Sequence, residues 1–172
     1  FTMLNDFIES VTLDDIRNGK IILIDKPIEW TSFDVIKYIR KSIQTRLKVK
    51  KIKVGHAGTL DPLATGLLIV CIGKETKNIS KYQDLSKKYT GIIKLGETTP
   101  SYDRETKIDG TYDYKHIDEN KVLKISKTFI GKQKQFPPIY SALKKDRKRM
   151  YKYAREKIEI EIKPRDIEIY NF

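Results

Sequence analysis

The run Lys20-Ile21-Ile22-Leu23-Ile24-Asp25, closed by Lys26-Pro27, predicts a strand ending in a turn. Thr31-Ser32 then offers a helix N-cap. Phe33, Ile36, Ile39 and Ile43 follow at helical spacing, with Lys37, Arg40 and Lys41 between them. Before these elements, residues 1–19 read as an N-terminal extension with a short helix around 13–18. A basic stretch, 46–53, leads into 54–66, where three glycines and one proline in thirteen residues predict irregular backbone. Residues 67–72 read as a buried strand, 75–85 as a helix and 88–95 as an alternating strand. Residues 96–115 form a polar loop with a weak strand at most. A helix is expected over 118–130, with Val122, Ile125, Phe129 and Ile130 on one side. Gln135-Phe136-Pro137-Pro138 stops any regular element. The very basic run 144–152 leads into a helix over 150–156, and strand-like stretches at 158–162 and 166–172 close the chain. Helices interleaved with neighbouring strands point to an α+β fold rather than a regular βαβ wind.

Length sets the scale: 172 residues make one domain or most of one, enough to bury a core without a disulfide or metal staple. The aromatic fraction of 10% argues against wholesale disorder. The longest apolar run, 67–72, is far short of the roughly 20 residues that span a bilayer. The first residues lack the basic and apolar regions of a secretory signal. The lone cysteine, Cys71, excludes an intrachain disulfide and fits a reducing, cytoplasmic setting. A net charge of +12 suits a polyanionic partner. It is equally what a Lys-, Ile- and Tyr-rich composition from an AT-rich genome produces.

Most standard catalytic patterns are missing. Two histidines, His56 and His116, and one cysteine make a structural zinc site improbable. The acidic loop 103–110 has Lys107 where a calcium ligand would stand, and reads as a solvated turn. The informative segment is 55–66. Gly55 and Gly58 permit close backbone approach or positive φ. Asp61-Pro62 is open to two readings: an N-cap followed by an N1 proline, or a carboxylate held in a cleft as nucleophile or base. Chemistry on a ribose–base linkage calls for the second, since a carboxylate can attack an electrophilic carbon and leave again. Lys144, Lys145, Arg147, Lys148 and Arg149 read as a solvated face or a phosphate-binding one, and interleaved Tyr140, Tyr151 and Tyr153 favour RNA.

The run Gly55-His56-Ala57-Gly58-Thr59-Leu60-Asp61-Pro62-Leu63-Ala64-Thr65-Gly66-Leu67-Leu68 closely resembles the active-site motif of the TruB-type tRNA pseudouridine synthases. Four further blocks resemble the same family in the same order. They are Ile24-Asp25-Lys26-Pro27 with Trp30-Thr31-Ser32, Ser86-Lys87-Lys88-Tyr89, Phe136-Pro137-Pro138-Ile139-Tyr140-Ser141-Ala142-Leu143-Lys144 and Met150-Tyr151-Lys152-Tyr153-Ala154-Arg155. Pro62-Leu63-Ala64-Thr65-Gly66 is similar to the bacterial enzymes that work without a guide RNA; Arg147 stands where those relatives often have glycine.

The resemblance implies an α+β pseudouridine synthase fold over 20–172. Its sheet is mixed, mainly antiparallel and incomplete in this chain, with an RNA-binding insertion near 136–165. It implies isomerisation of uridine to pseudouridine at position 55, in the T loop of tRNA, with no cofactor and no membrane partner. The alternative is a non-catalytic tRNA-binding or tRNA-folding module. Asp61 would be the nucleophile and Tyr89 would stack on the flipped base. His56 would pack against the RNA loop, and Lys26 and Pro27 would shape the pocket. Tyr140, Lys144, Lys145, Lys148, Arg149 and Tyr151 would hold RNA. The family pairs its aspartate with an arginine from a later Gly-Thr-Tyr-Ile-Arg-type motif. Residues 1–172 alone are therefore expected to be inactive or nearly so, with a second segment completing the fold.

Overall fold

The computed structural model describes residues 2–141, 143–146, 148–156 and 158–172. Arg147 lies outside the described residues, as do the side chains of Lys144 and Lys145. The chain forms two compact units, residues 1–89 and 90–172.

The first unit is built on a three-stranded antiparallel sheet. Strand β1 (Lys20–Lys26) and strand β2 (Val54–His56) flank the central β3 (Gly66–Ile72). Lys20 faces Ile72 at one end and Lys26 faces Gly66 at the other. Alternation along β1 turns Ile22, Ile24 and Lys26 inward and Ile21, Leu23 and Asp25 outward.

Four helices and a 3₁₀ turn complete the described part of this unit: α1 (Thr2–Ser10), α2 (Leu13–Asn18), α3 (Ser32–Leu47), and Gly73–Asn78 leading into α4 (Ile79–Gln83). The expected helix over 75–85 is thus a 3₁₀ turn followed by a single α-helical turn. Thr31 caps α3 and Asp34 closes the capping box. The helix buries Val35, Ile36, Ile39 and Ile43 against β1 and β3 residues, whereas Phe33, expected on this face, is exposed. Residues expected as an extension contribute to the same core: Leu4, Ile8 and Val11 are buried in it. Gly73 has φ +61 and Ile16 O only 1.8 Å from where a Cβ would stand, so only glycine lets α2 lie this close.

Among its described residues the second unit contains three two-stranded antiparallel pairs. These are β4 (Glu97–Thr98) with β5 (Gly110–Thr111), β6 (Gly131–Gln135) with β9 (Arg165–Ile169), and β7 (Lys144–Lys145) with β8 (Lys148–Arg149). Helices α5 (Glu119–Thr128) and α6 (Met150–Arg155) accompany them. Asp118 caps α5, but its apolar face is open: Val122, Leu123 and Ile125 are all exposed. Together the units give an α+β fold in which every strand pair among the described residues is antiparallel.

Two expected strands are not formed. Residues 88–95 and 158–162 both alternate suitably, yet neither has a ladder partner among the described residues, and both run as irregular chain. Alternation supplies a face, but backbone pairing supplies the strand. Ile92 and Ile93 are exposed in consequence.

Candidate active site

Period-two alternation forces Lys26 onto the core face of β1, where it is fully buried beside Ile24. Burying an ammonium is costly unless its donors are satisfied. Lys26 Nζ donates to Pro27 O (2.8 Å), Trp30 O (2.6 Å) and Pro62 O (3.4 Å). Burial pushes its pKa below the usual lysine value, while the Asp61 carboxylate pulls it back up. Three N–H groups aimed at three carbonyls are those of an ammonium, so Lys26 is charged. One buried cation thereby ties the turn after β1 to the Pro62 carbonyl, one residue beyond Asp61.

Two further ties fix the same loop. Glu29 takes a left-handed conformation (φ 68), and its N–H donates to Pro62 O at 2.7 Å. The buried Ser32 hydroxyl donates to Leu60 O (3.0 Å) and accepts from Leu60 N–H (2.9 Å). At the base of the loop, Ala57 N–H donates to Ile69 O at 2.9 Å, and His56 Nδ1 contacts Gly58 O. Gly58 adopts φ +110, as its place in the motif suggested. Gly55 provides close approach: a Cβ there would meet the Ile79 side chain at 2.7 Å.

Asp61 caps no helix. Its carbonyl accepts from Ala64 N–H at 3.0 Å, with Pro62 next in sequence, so Asp61 opens a β-turn with proline at the second position. That removes the N-cap reading. The Asp61 side chain is exposed, and the backbone on both sides of it is anchored through Leu60 and Pro62. Two hollows of about 460 and 410 Å³ run along α3, and Asp61 lines neither. Asp61 is thus an exposed residue on a held turn.

The structure brings Lys26, Pro27 and Asp61 into one site, with His56 where β2 enters the same loop. Tyr89 lies in the irregular segment after α4 and is 75% exposed. Ser32 and Glu29 are the members that sequence reasoning missed. Ser32 was within reach of it: once Thr31 and Asp34 form the capping box, the adjacent hydroxyl is released for another partner.

In the second unit, the proposed RNA-binding residues other than Tyr140 lie on the β7–β8 hairpin and α6. Tyr140 is half-buried just before the hairpin and Asp146 takes φ 50 in its turn. Met150 packs below it, its N–H donating to Leu143 O at 2.8 Å. Lys148 pairs with Glu156 and sits 4.7 Å from the Tyr153 ring centre, and Arg155 lies 5.2 Å from that of Tyr151. Arg149 is exposed. Among the described residues no group of three or more His, Cys, Asp or Glu is placed to hold a metal, and no helix is long and apolar enough to cross a membrane.

Residues 40–172 match the family described as TruB family pseudouridylate synthase (N terminal domain). The chain is 49% identical over 155 residues to a tRNA pseudouridine synthase B of Parabacteroides distasonis, covering 90% of this chain and 66% of the relative. It is 51% identical over 149 residues to that of Bacteroides fragilis, covering 87% and 64%. It is 47% identical over 163 residues to that of Flavobacterium johnsoniae, covering 94% and 71%. The chain thus spans about two thirds of the length of these curated relatives. With the family match and the relatives in agreement, the chain belongs to the TruB family of pseudouridylate synthases.

Proposed function

We propose that residues 1–172 form the N-terminal part of a cytoplasmic enzyme that converts uridine 55 in the tRNA T loop to pseudouridine without a guide RNA, using Asp61 as nucleophile. The observation that carries this reading is an exposed carboxylate on a turn anchored on both sides, with a buried ammonium behind it. A uridine within a folded loop must be extruded to be reached. Asp61 then attacks C1′ as the N1–C1′ bond breaks, the base turns, and C5 bonds to C1′ as the Asp61 O–C1′ bond breaks and frees the carboxylate. C5 loses a proton and N1 gains one, so composition is unchanged and no oxidant or reductant is consumed.

The remaining roles are those the family resemblance implies. The exposed Tyr89 ring supplies a stacking face for the flipped base. Lys26 fixes the carbonyls of Pro27 and Pro62 around the base site, and His56 borders the RNA loop. Tyr140, Lys144, Lys145, Lys148, Arg149 and Tyr151 bind the T stem-loop. A further segment completes the sheet and brings an arginine to Asp61. Support for it comes from the open outer face of the first sheet, where Leu23 and Leu67 are 66% and 62% exposed.

The test is tritium release from tRNA carrying 5-tritiated uridine. Residues 1–172 alone should release little. The same residues joined to the remaining third of the Parabacteroides distasonis relative should release tritium from one T-loop uridine, and none when that base is cytidine. A folded fusion that binds tRNA yet releases none would overturn the reading in favour of a tRNA-binding module.

A further inference from the structure

Between Asp34 and Asp61 the chain carries eight Lys or Arg residues and no acidic one. The end of this block, residues 48–53, is a built feature rather than a loose loop. Helix α3 ends on Lys48 in the left-handed conformation (φ 53, ψ 37). Val49 N–H donates to Gln44 O at 3.1 Å, and Gln44 Nε2 donates back to Lys50 O at 2.8 Å. Gly73 N–H closes the other side onto Lys53 O at 2.8 Å. Leu47 and Ile52 pack against the core, which leaves Lys48, Lys50, Lys51 and Lys53 exposed. Lys74, next to the Gly73 that bonds Lys53, is exposed as well. Among the described residues, none of these five ammonium groups is in an ion pair, whereas Lys148 is held by Glu156.

Register places this loop. It enters β2 at Val54, which faces Ile72, and the opposite end of β3 is Gly66, facing Lys26 at the Asp61 site. Six residue steps of about 3.3 Å separate the two ends by roughly 20 Å. Residues 48–53 contain no aromatic side chain, so the loop has cations for phosphates and no platform for bases. Its backbone is already fixed, so little ordering cost accompanies binding.

We propose that residues 48–53 and Lys74 form a second RNA-binding surface, gripping the phosphate backbone of a base-paired stem whose loop reaches Asp61. The proposal rests on the tRNA reading for the identity of that stem, but its chemistry can be tested separately. The variant Lys48→Gln, Lys50→Gln, Lys51→Gln, Lys53→Gln and Lys74→Gln keeps side-chain length and removes charge. It should melt as the parent does. Binding is measured against salt with three probes: a T-arm hairpin with its whole stem, the same loop closed by a minimal stem, and a plain RNA duplex. On the whole-stem hairpin and the duplex, the log–log slope should fall by roughly 0.7–0.9 for each phosphate no longer neutralised. On the minimal hairpin it should stay unchanged. Equal slopes for parent and variant on the whole stem would overturn the proposal, as would an equal fall on the minimal hairpin. If the fusion releases no tritium yet the duplex slope still falls, the functional reading fails and this surface stands.

Discussion

The Ser32 hydroxyl bonds Leu60 in both directions, donating to its carbonyl and accepting from its N–H. Ser32→Ala strands both backbone groups of the residue preceding Asp61. Leu60 is only partly buried, so urea unfolding should show a loss at or below the roughly 1–3 kcal/mol of a fully buried unsatisfied group. Turnover by the active fusion should fall more than tRNA affinity, because the carboxylate loses its alignment while the RNA surfaces remain. Equal falls in both would show that Ser32 supports the fold without aligning Asp61. At this scale the sequence is informative about types and less so about partners. Asp61 stands out for its glycine-rich loop, but its backbone reads equally as a helix cap until Ala64 shows a β-turn. Lys26 can be placed on the inner face by counting along β1, yet nothing local names the three carbonyls that neutralise its burial cost, one of which lies 36 positions away.

Among the elements, α2 depends most visibly on electrostatics. Asp15 accepts from the Lys20 ammonium and from both the N–H and hydroxyl of Thr12. Led by the Lys20 bond, these interactions hold its carboxyl down at about 2 against an ordinary 3.8. The unfolded chain therefore binds more protons in that window. The stabilisation is complete above about pH 4 and is lost as pH falls through about 2. Thermal unfolding followed between pH 5 and 2 should decline less steeply for Asp15→Asn than for the parent, and identical slopes would contradict this account of the cap. Elements with strong local signals were legible: β1, α3 with its N-cap, and β3 stand where expected. Helix α1 was not, although Leu4, Ile8 and Val11 carry a helical spacing that could have shown it. The segments 88–95 and 158–162 mark the opposite limit, since their composition favours strands and only a partner could make them so.

At the scale of the whole molecule, charge is divided between surfaces of different character. The hairpin and α6 interleave lysine and arginine with tyrosine, and part of that charge is neutralised internally: Lys148 is already paired with Glu156 and lies against Tyr153. Replacing Lys144, Lys145, Lys148 and Arg149 by alanine should flatten the salt dependence of tRNA binding by roughly 0.7–0.9 per phosphate that these cations neutralise. Lys148 should contribute less than a full phosphate's worth, and an unchanged slope would return the hairpin to a merely solvated face. Composition alone could not separate these surfaces, because a net charge does not say which cations are spoken for. The division into two units was equally silent in the sequence, whose apolar runs do not reveal which faces are left open. The central claim concerns Asp61, and Asp61→Asn in the tritium-releasing fusion tests it most directly, because the substitution keeps size and hydrogen bonding while removing the nucleophile. Tritium release should vanish while tRNA affinity changes by less than about 1 kcal/mol; release at the parent's rate would remove Asp61 from the chemistry.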